Sequence, residues 1–190
     1  MRSTMAATLF LAVTLLPAGE AMAKQTNDQK RDAVRKMAAQ TLDNLYKLQP
    51  ASRAAIQRSA GYAVFDNTGV HVLLVSSARG SGMAVNSETK QETFMKMISA
   101  GAGFGVGVKD YSLVFVFEKQ TALQDFINSG WEASEQTDAA AKAGTTGDAY
   151  SGAVMVRPGV WVYQITKNGL ALQVTLQGTK YYKDDDLNKT

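Results

Sequence analysis

At 190 residues and 45% hydrophobic side chains, the chain is long enough to bury one real core and too apolar to be disordered. It has no cysteine and a single histidine, so disulfides are excluded and a cysteine–histidine zinc site lacks donors. Its net charge of +3 suits an anionic surface but falls far short of a nucleic-acid binder's balance.

Residues 1–23 read as a secretory signal peptide. Arg2 supplies the basic start, residues 6–16 an apolar run too short to span a bilayer, and Ala21-Met22-Ala23 a small-x-small cleavage site. The mature chain is expected to begin at Lys24 and to be periplasmic or secreted, with residues 24–190 forming one domain. Residues 28–49 follow an amphipathic helical period through Val34, Met37, Ala38, Thr41, Leu42, Leu45 and Leu48. Asn27 or Asp28 is the expected cap, and Pro50 the stop. Lys30, Arg31, Arg35 and Lys36 crowd the first turns, where each cation opposes the helix dipole at a cost of a few tenths of a kcal/mol, about 0.3. That penalty is a mild hint of another use; the alternative is an ordinary solvated face on a core-packed helix.

A short helix capped by Ser52 and closed by Gly61 is expected next. Residues 62–65 and 70–76 read as strands around an Asp66-Asn67-Thr68-Gly69 turn, and Gly80-Ser81-Gly82 as a loosened stretch before residues 83–86. Residues 92–99 fit strand or helix locally; strand is preferred because a glycine-rich strand follows. In that run, Gly101-Ala102-Gly103-Phe104-Gly105-Val106-Gly107-Val108, a strand places Gly101, Gly103, Gly105 and Gly107 on one face. Bare glycine in register implies close approach, by another element or by a ligand in a groove. The spacing is neither a dinucleotide fingerprint nor a P-loop.

Lys109-Asp110 is the expected turn into a strand over residues 111–117, with Leu113, Phe115 and Phe117 on one face. Residues 119–129 read as a helix ended by Gly130, with Trp131 plugging the core beside it. Residues 138–143 read as helical and residues 145–152 as a polar loop. Asn168-Gly169 between the alternating segments 160–166 and 170–176 is a strong hairpin signal. The acidic run Asp184-Asp185-Asp186 reads as a solvated face, and Tyr181 and Tyr182 with Lys180 and Lys183 as either a sheet anchor or an interfacial belt. The fold class is α+β: a single domain with a mostly antiparallel sheet, able to curl toward a barrel, and flanking helices.

Catalytic chemistry has little to work with. His71 lies in an apolar strand without a positioned partner, and no G-x-S-x-G elbow presents a serine. No enzyme, cofactor or metal is expected.

Gly61-Tyr62-Ala63-Val64-Phe65, the glycine run with Lys109-Asp110, Val116-Phe117, Ser129-Gly130-Trp131-Glu132, Gly169-Leu170 and Lys180-Tyr181-Tyr182 with Leu187-Asn188 form an ordered set. Together they resemble the SYLF family of lipid-binding domains, over residues 51–188. The resemblance implies the fold and a general affinity for lipid. Eukaryotic members bind phosphoinositides, and some engage actin. The signal peptide, and the lack of an SH3 or zinc-finger module, match the exported bacterial members, which would meet neither ligand.

The resulting expectation is a non-catalytic module that binds anionic lipid at a membrane surface. Lys30, Arg31, Arg35 and Lys36, with Lys109 and Lys180, are its candidate headgroup contacts. The alternative is an envelope interaction domain whose glycine groove receives a peptide or protein partner. No nucleic-acid partner is expected.

Overall fold

The computed structural model describes residues 25–72, 75–101, 110–132, 142–143, 150–171, 176 and 178–189. The signal segment, residues 102–109 of the glycine run, residues 138–141 of the expected helical segment and residues 145–149 of the expected loop lie outside the described residues.

Helix α1 spans Asn27–Leu48. Thr26, rather than Asn27 or Asp28, caps it: Thr26 Oγ1 accepts from the Gln29 amide at 3.2 Å, and Gln29 Oε1 accepts from the Thr26 amide at 2.9 Å. This reciprocal capping box satisfies two otherwise orphaned donors. Helix α2 spans Ala51–Arg58 with Pro50 at its cap position. Ser52 lies inside its first turn, where the hydroxyl donates to the Gln49 carbonyl at 2.6 Å instead of accepting as a cap. Gly61 opens the next strand rather than closing this helix.

Strands β1 (Gly61–Val72) and β2 (Val75–Asn86) form one long hairpin. The expected Asp66-Asn67-Thr68-Gly69 turn runs straight through β1. It is paired on both flanks, Asp66 facing Ser81 of β2 and Ser112 of β4 (Asp110–Phe117). Ser112 Oγ donates to Asp66 Oδ1 at 3.0 Å, and Asn67 is buried. Ladder bonds on two sides satisfy the backbone groups that a turn would have used, so tertiary pairing overrides the local preference. Gly80-Ser81-Gly82 likewise continues β2. A Cβ at Gly82 would strike the Phe65 ring and the Val64 carbonyl, and one at Gly80 the Asp66 carbonyl, so glycine here permits close approach.

The remaining elements are β3 (Glu92–Gly101), α3 (Gln120–Ser129), β5 (Trp131–Glu132), β6 (Lys142–Ala143), β7 (Val154–Arg157), β8 (Val160–Thr166), β9 (Gly169–Ala171), β10 (Thr179–Lys183) and α4 (Asp185–Asn188). Lys142 and Ala143, expected to be helical, pair as a strand with β7, and Pro158-Gly159 is the turn of a β7–β8 hairpin. The β8–β9 hairpin turns at Asn168-Gly169 as expected. Gly130 ends α3 at φ 70°, a left-handed value that L side chains rarely adopt.

All pairings are antiparallel, in the order β5-β10-β3-β2-β1-β4-β8-β7-β6, with β9 added to β8. The sheet curls into a half-barrel. Curling brings β5 back toward β7, so that the Arg157 guanidinium lies 4.7 Å from the Trp131 ring centroid. Inside the curl, Phe65, Phe115, Phe117, Trp131 and Tyr181 pack with Leu123, Phe126 and Ile127 of α3. On the outer face, Val34, Ala38 and Leu45 of α1 cover Val64, Val114 and Tyr163. The fold is thus a single α+β domain with, among the described residues, four helices bracing one sheet. No described helix is long and apolar enough to cross a membrane.

Candidate lipid-facing surface

The basic end of α1 is engaged within the molecule. Arg31 Nε donates to the Leu187 carbonyl at 2.8 Å and Nη2 to the Lys189 carbonyl at 2.6 Å, while Nη1 meets Asp28 Oδ1 at 2.7 Å. Arg31 therefore clamps α4 to α1. Arg35 pairs with Glu92 at 2.8 Å and Asp32 at 2.9 Å, and its guanidinium lies 5.3 Å from the Phe94 ring centroid. The hydrogen bond to Glu92 raises the Arg35 pKa against a smaller opposing effect of burial. Lys30 is half-buried and, with Lys96, Asp184 and Asp186, lines a cavity of about 430 Å³ between α1, the sheet and α4. Lys36 is exposed.

The apolar stripe of α1 is packed against the sheet at Val34, Ala38, Thr41 and Leu45. An interfacial helix needs that stripe free to enter lipid. Here a basic amphipathic sequence has its apolar face spent on the core.

The tail divides its tyrosines. Tyr181 turns inward and is fully buried; Tyr182 turns outward. Strand alternation puts Lys180 on the outer face with Tyr182, and the ladder sets Lys180 opposite Ile98 and Tyr182 opposite Lys96. Ile98 and Tyr182, 37% and 36% exposed, are two of the three exposed large apolar side chains among the described residues; Leu48 is the third. Opposite and diagonal pairs on one sheet face lie within side-chain reach. Ile98, Lys180 and Tyr182 therefore share one outer patch, with Glu132 of β5 opposite Lys180 on its other flank.

The acidic run is not wholly a solvated face. Asp184 is buried, caps α4 by accepting from the Asp186 and Leu187 amides at 3.1 and 3.3 Å, and pairs with Lys96 Nζ at 2.8 Å. That hydrogen bond raises the Lys96 pKa. Gly103, Gly105, Gly107 and Lys109 lie outside the described residues; the backbone of Gly101 ends β3 opposite Ser76. The sequence reading did not single out Ile98. Its signal was available in the alternation Phe94, Lys96, Ile98 against Met95, Met97, once residues 92–99 are taken as strand.

The described residues thus form a curled antiparallel half-barrel with helices on both faces and an outer patch at Ile98, Lys180 and Tyr182. Residues 98–190, just under half of the chain, match the sequence model of the Ysc84 family, described as Las17-binding protein actin regulator, so this part of the chain is similar to that SYLF-domain family. It is also 34% identical over 173 residues to Beta cell expansion factor A of Aeromonas veronii. That match covers 90% of this chain and 64% of the relative's length. This similarity suggests lipid- or actin-related binding.

Proposed function

We propose that the chain is a non-catalytic lipid-binding module acting at a membrane surface, and that it makes contact through the outer face of β3 and β10. The observation that carries this is the exposed pair Ile98 and Tyr182 beside Lys180. Tyrosine and lysine have apolar bodies and polar tips and settle at headgroup depth. Near an anionic surface each cation contributes about 1 kcal/mol, falling off within a Debye length. One small patch, with Lys30 and Lys36 as more distant cations, gives weak, reversible and salt-sensitive binding. The Las17- and actin-related description belongs to the family model; with residues 1–23 acting as an export signal, this chain would meet an envelope membrane instead.

Co-sedimentation with phosphatidylglycerol-containing vesicles, against pure phosphatidylcholine, tests the proposal. The protein should pellet with the anionic vesicles at low salt and be released at high salt. The double variant Ile98→Glu, Lys180→Glu should fold and stay in the supernatant, whereas Lys36→Glu should still bind. Wild-type protein that ignores anionic vesicles at low salt, or a double variant that binds as well, overturns the reading. The envelope-partner alternative expects no response to vesicles of any composition.

A further inference from the structure

Where the curl of the sheet brings β5 back to β7, a second cavity of about 310 Å³ opens over α3, away from the outer patch. Phe117, Phe126 and Val160 give it an apolar floor. Trp131 forms one wall; it is 5% exposed, and its indole Nε1 is buried with no hydrogen-bond partner. A buried donor left without an acceptor is costly and uncommon in native structures. Arg157, an exposed residue, also lines the cavity. Its guanidinium stacks over the indole at 4.7 Å, and no carboxylate among the described residues forms an ion pair with it. Burial lowers the Arg157 pKa from its ordinary value. Asp125, exposed on α3, also lines the cavity without reaching that arginine.

We propose that this seam cavity binds one medium-chain carboxylic acid, with its carboxylate on the free edge of the Arg157 guanidinium beside Trp131 Nε1 and its tail over Phe117, Phe126 and Val160. A guanidinium fork and one N–H supply the donors that two carboxylate oxygens accept. A single cation with Asp125 nearby is too little positive charge for a dianionic phosphate, so the headgroup is a carboxylate. At roughly 30 Å³ for a water-sized group, the cavity holds about ten such groups, the size of an eight- to ten-carbon acid. The aromatic floor and the few convergent polar groups are those of a small-molecule site.

Titration calorimetry with sodium octanoate, kept below its micelle concentration, against 1-octanol tests this. Octanoate should saturate one site, and octanol, with the same tail and no charge, should bind more weakly. Arg157→Gln should weaken octanoate by about tenfold or more, the scale of one charge-assisted hydrogen bond. Trp131→Phe, which keeps the ring and removes the donor, should weaken it less, and Asp125→Asn should tighten it. Near-ultraviolet circular dichroism reports whether each variant folds; if Arg157→Gln does not, Arg157→Lys, which keeps the charge and loses the planar fork, should fold and bind octanoate more weakly than wild type. No saturable octanoate binding, equal octanol and octanoate affinities, or an undiminished arginine variant overturns the proposal. The Ile98→Glu, Lys180→Glu protein should retain octanoate binding, so this site and the membrane-surface reading stand or fall separately.

Discussion

Gly82 shows how a single residue sets the packing of the sheet. On β2 it faces Phe65 of β1 in the ladder, with the aromatic ring and the Val64 carbonyl where a Cβ would lie. Phe65 is fully buried and in turn touches Phe115, Phe126 and Tyr181, so it has little room to retreat. Gly82→Ala is expected to destabilise the fold by about 1–3 kcal/mol, the cost of overpacking a dense core. Ser81→Ala, one residue away on an exposed face, should change little. Urea melts of the two variants check this, and equal midpoints would mean that the Phe65 ring moves aside freely. The bare glycine face expected at Gly103 and Gly105 lies outside the described residues, but the same reasoning applies at Gly80 and Gly82.

At the scale of elements, α1 is a brace rather than a free amphipathic helix. Arg31 binds the carbonyls at the end of α4, whose Leu187 is buried beneath α1. Hydrogen bonds to a charged donor are the stronger kind, and partial exposure of Arg31 discounts them to about 1 kcal/mol in all. Arg31→Ala should cost that much and should accelerate amide exchange at Leu187 and Asn188 ahead of the sheet. Unchanged exchange there would mean that the clamp is not holding α4. Periodicity made α1, α3, β4 and the β8–β9 hairpin legible because each buries one face with its own repeat. The turn-like Asp66-Asn67-Thr68-Gly69 and the Gly80-Ser81-Gly82 stretch misread because their conformation is imposed by neighbouring strands. The α1 cations were visible as charges, but their partners were not: Leu187 is 156 residues from Arg31, and Glu92 is 57 from Arg35. Trp131 was legible as a core plug, whereas Arg157 facing it depends on the curl of the whole sheet.

The whole molecule is sensitive to alkali through its phenols. Burial raises the pKa of Tyr46, Tyr62, Tyr111, Tyr150, Tyr163 and Tyr181 above the ordinary 10.0, most strongly for the fully buried Tyr181. A raised phenol is neutral in the fold but ionises near pH 10 in the unfolded chain. Its contribution is therefore complete below pH 10 and is lost as pH rises through the folded values. Part of the phenolate absorbance should appear late, together with loss of near-ultraviolet circular dichroism. A single wave near pH 10 with tertiary structure intact would contradict the burial of Tyr163 and Tyr181.

Timing follows from the place of β10. Its residues 179–183 enter the sheet between β3, at residues 95–99, and β5, at residues 131–132, and the segment just after them receives Arg31. Contacts this distant in sequence must close long loops before any burial rewards them, which puts the fold among the slower topologies. Until residues 179–189 have been synthesised, β3 has an open edge and α1 lacks its clamp, and open edges recruit other chains. The nascent chain therefore stays aggregation-prone until β10 emerges and covers the edge of β3.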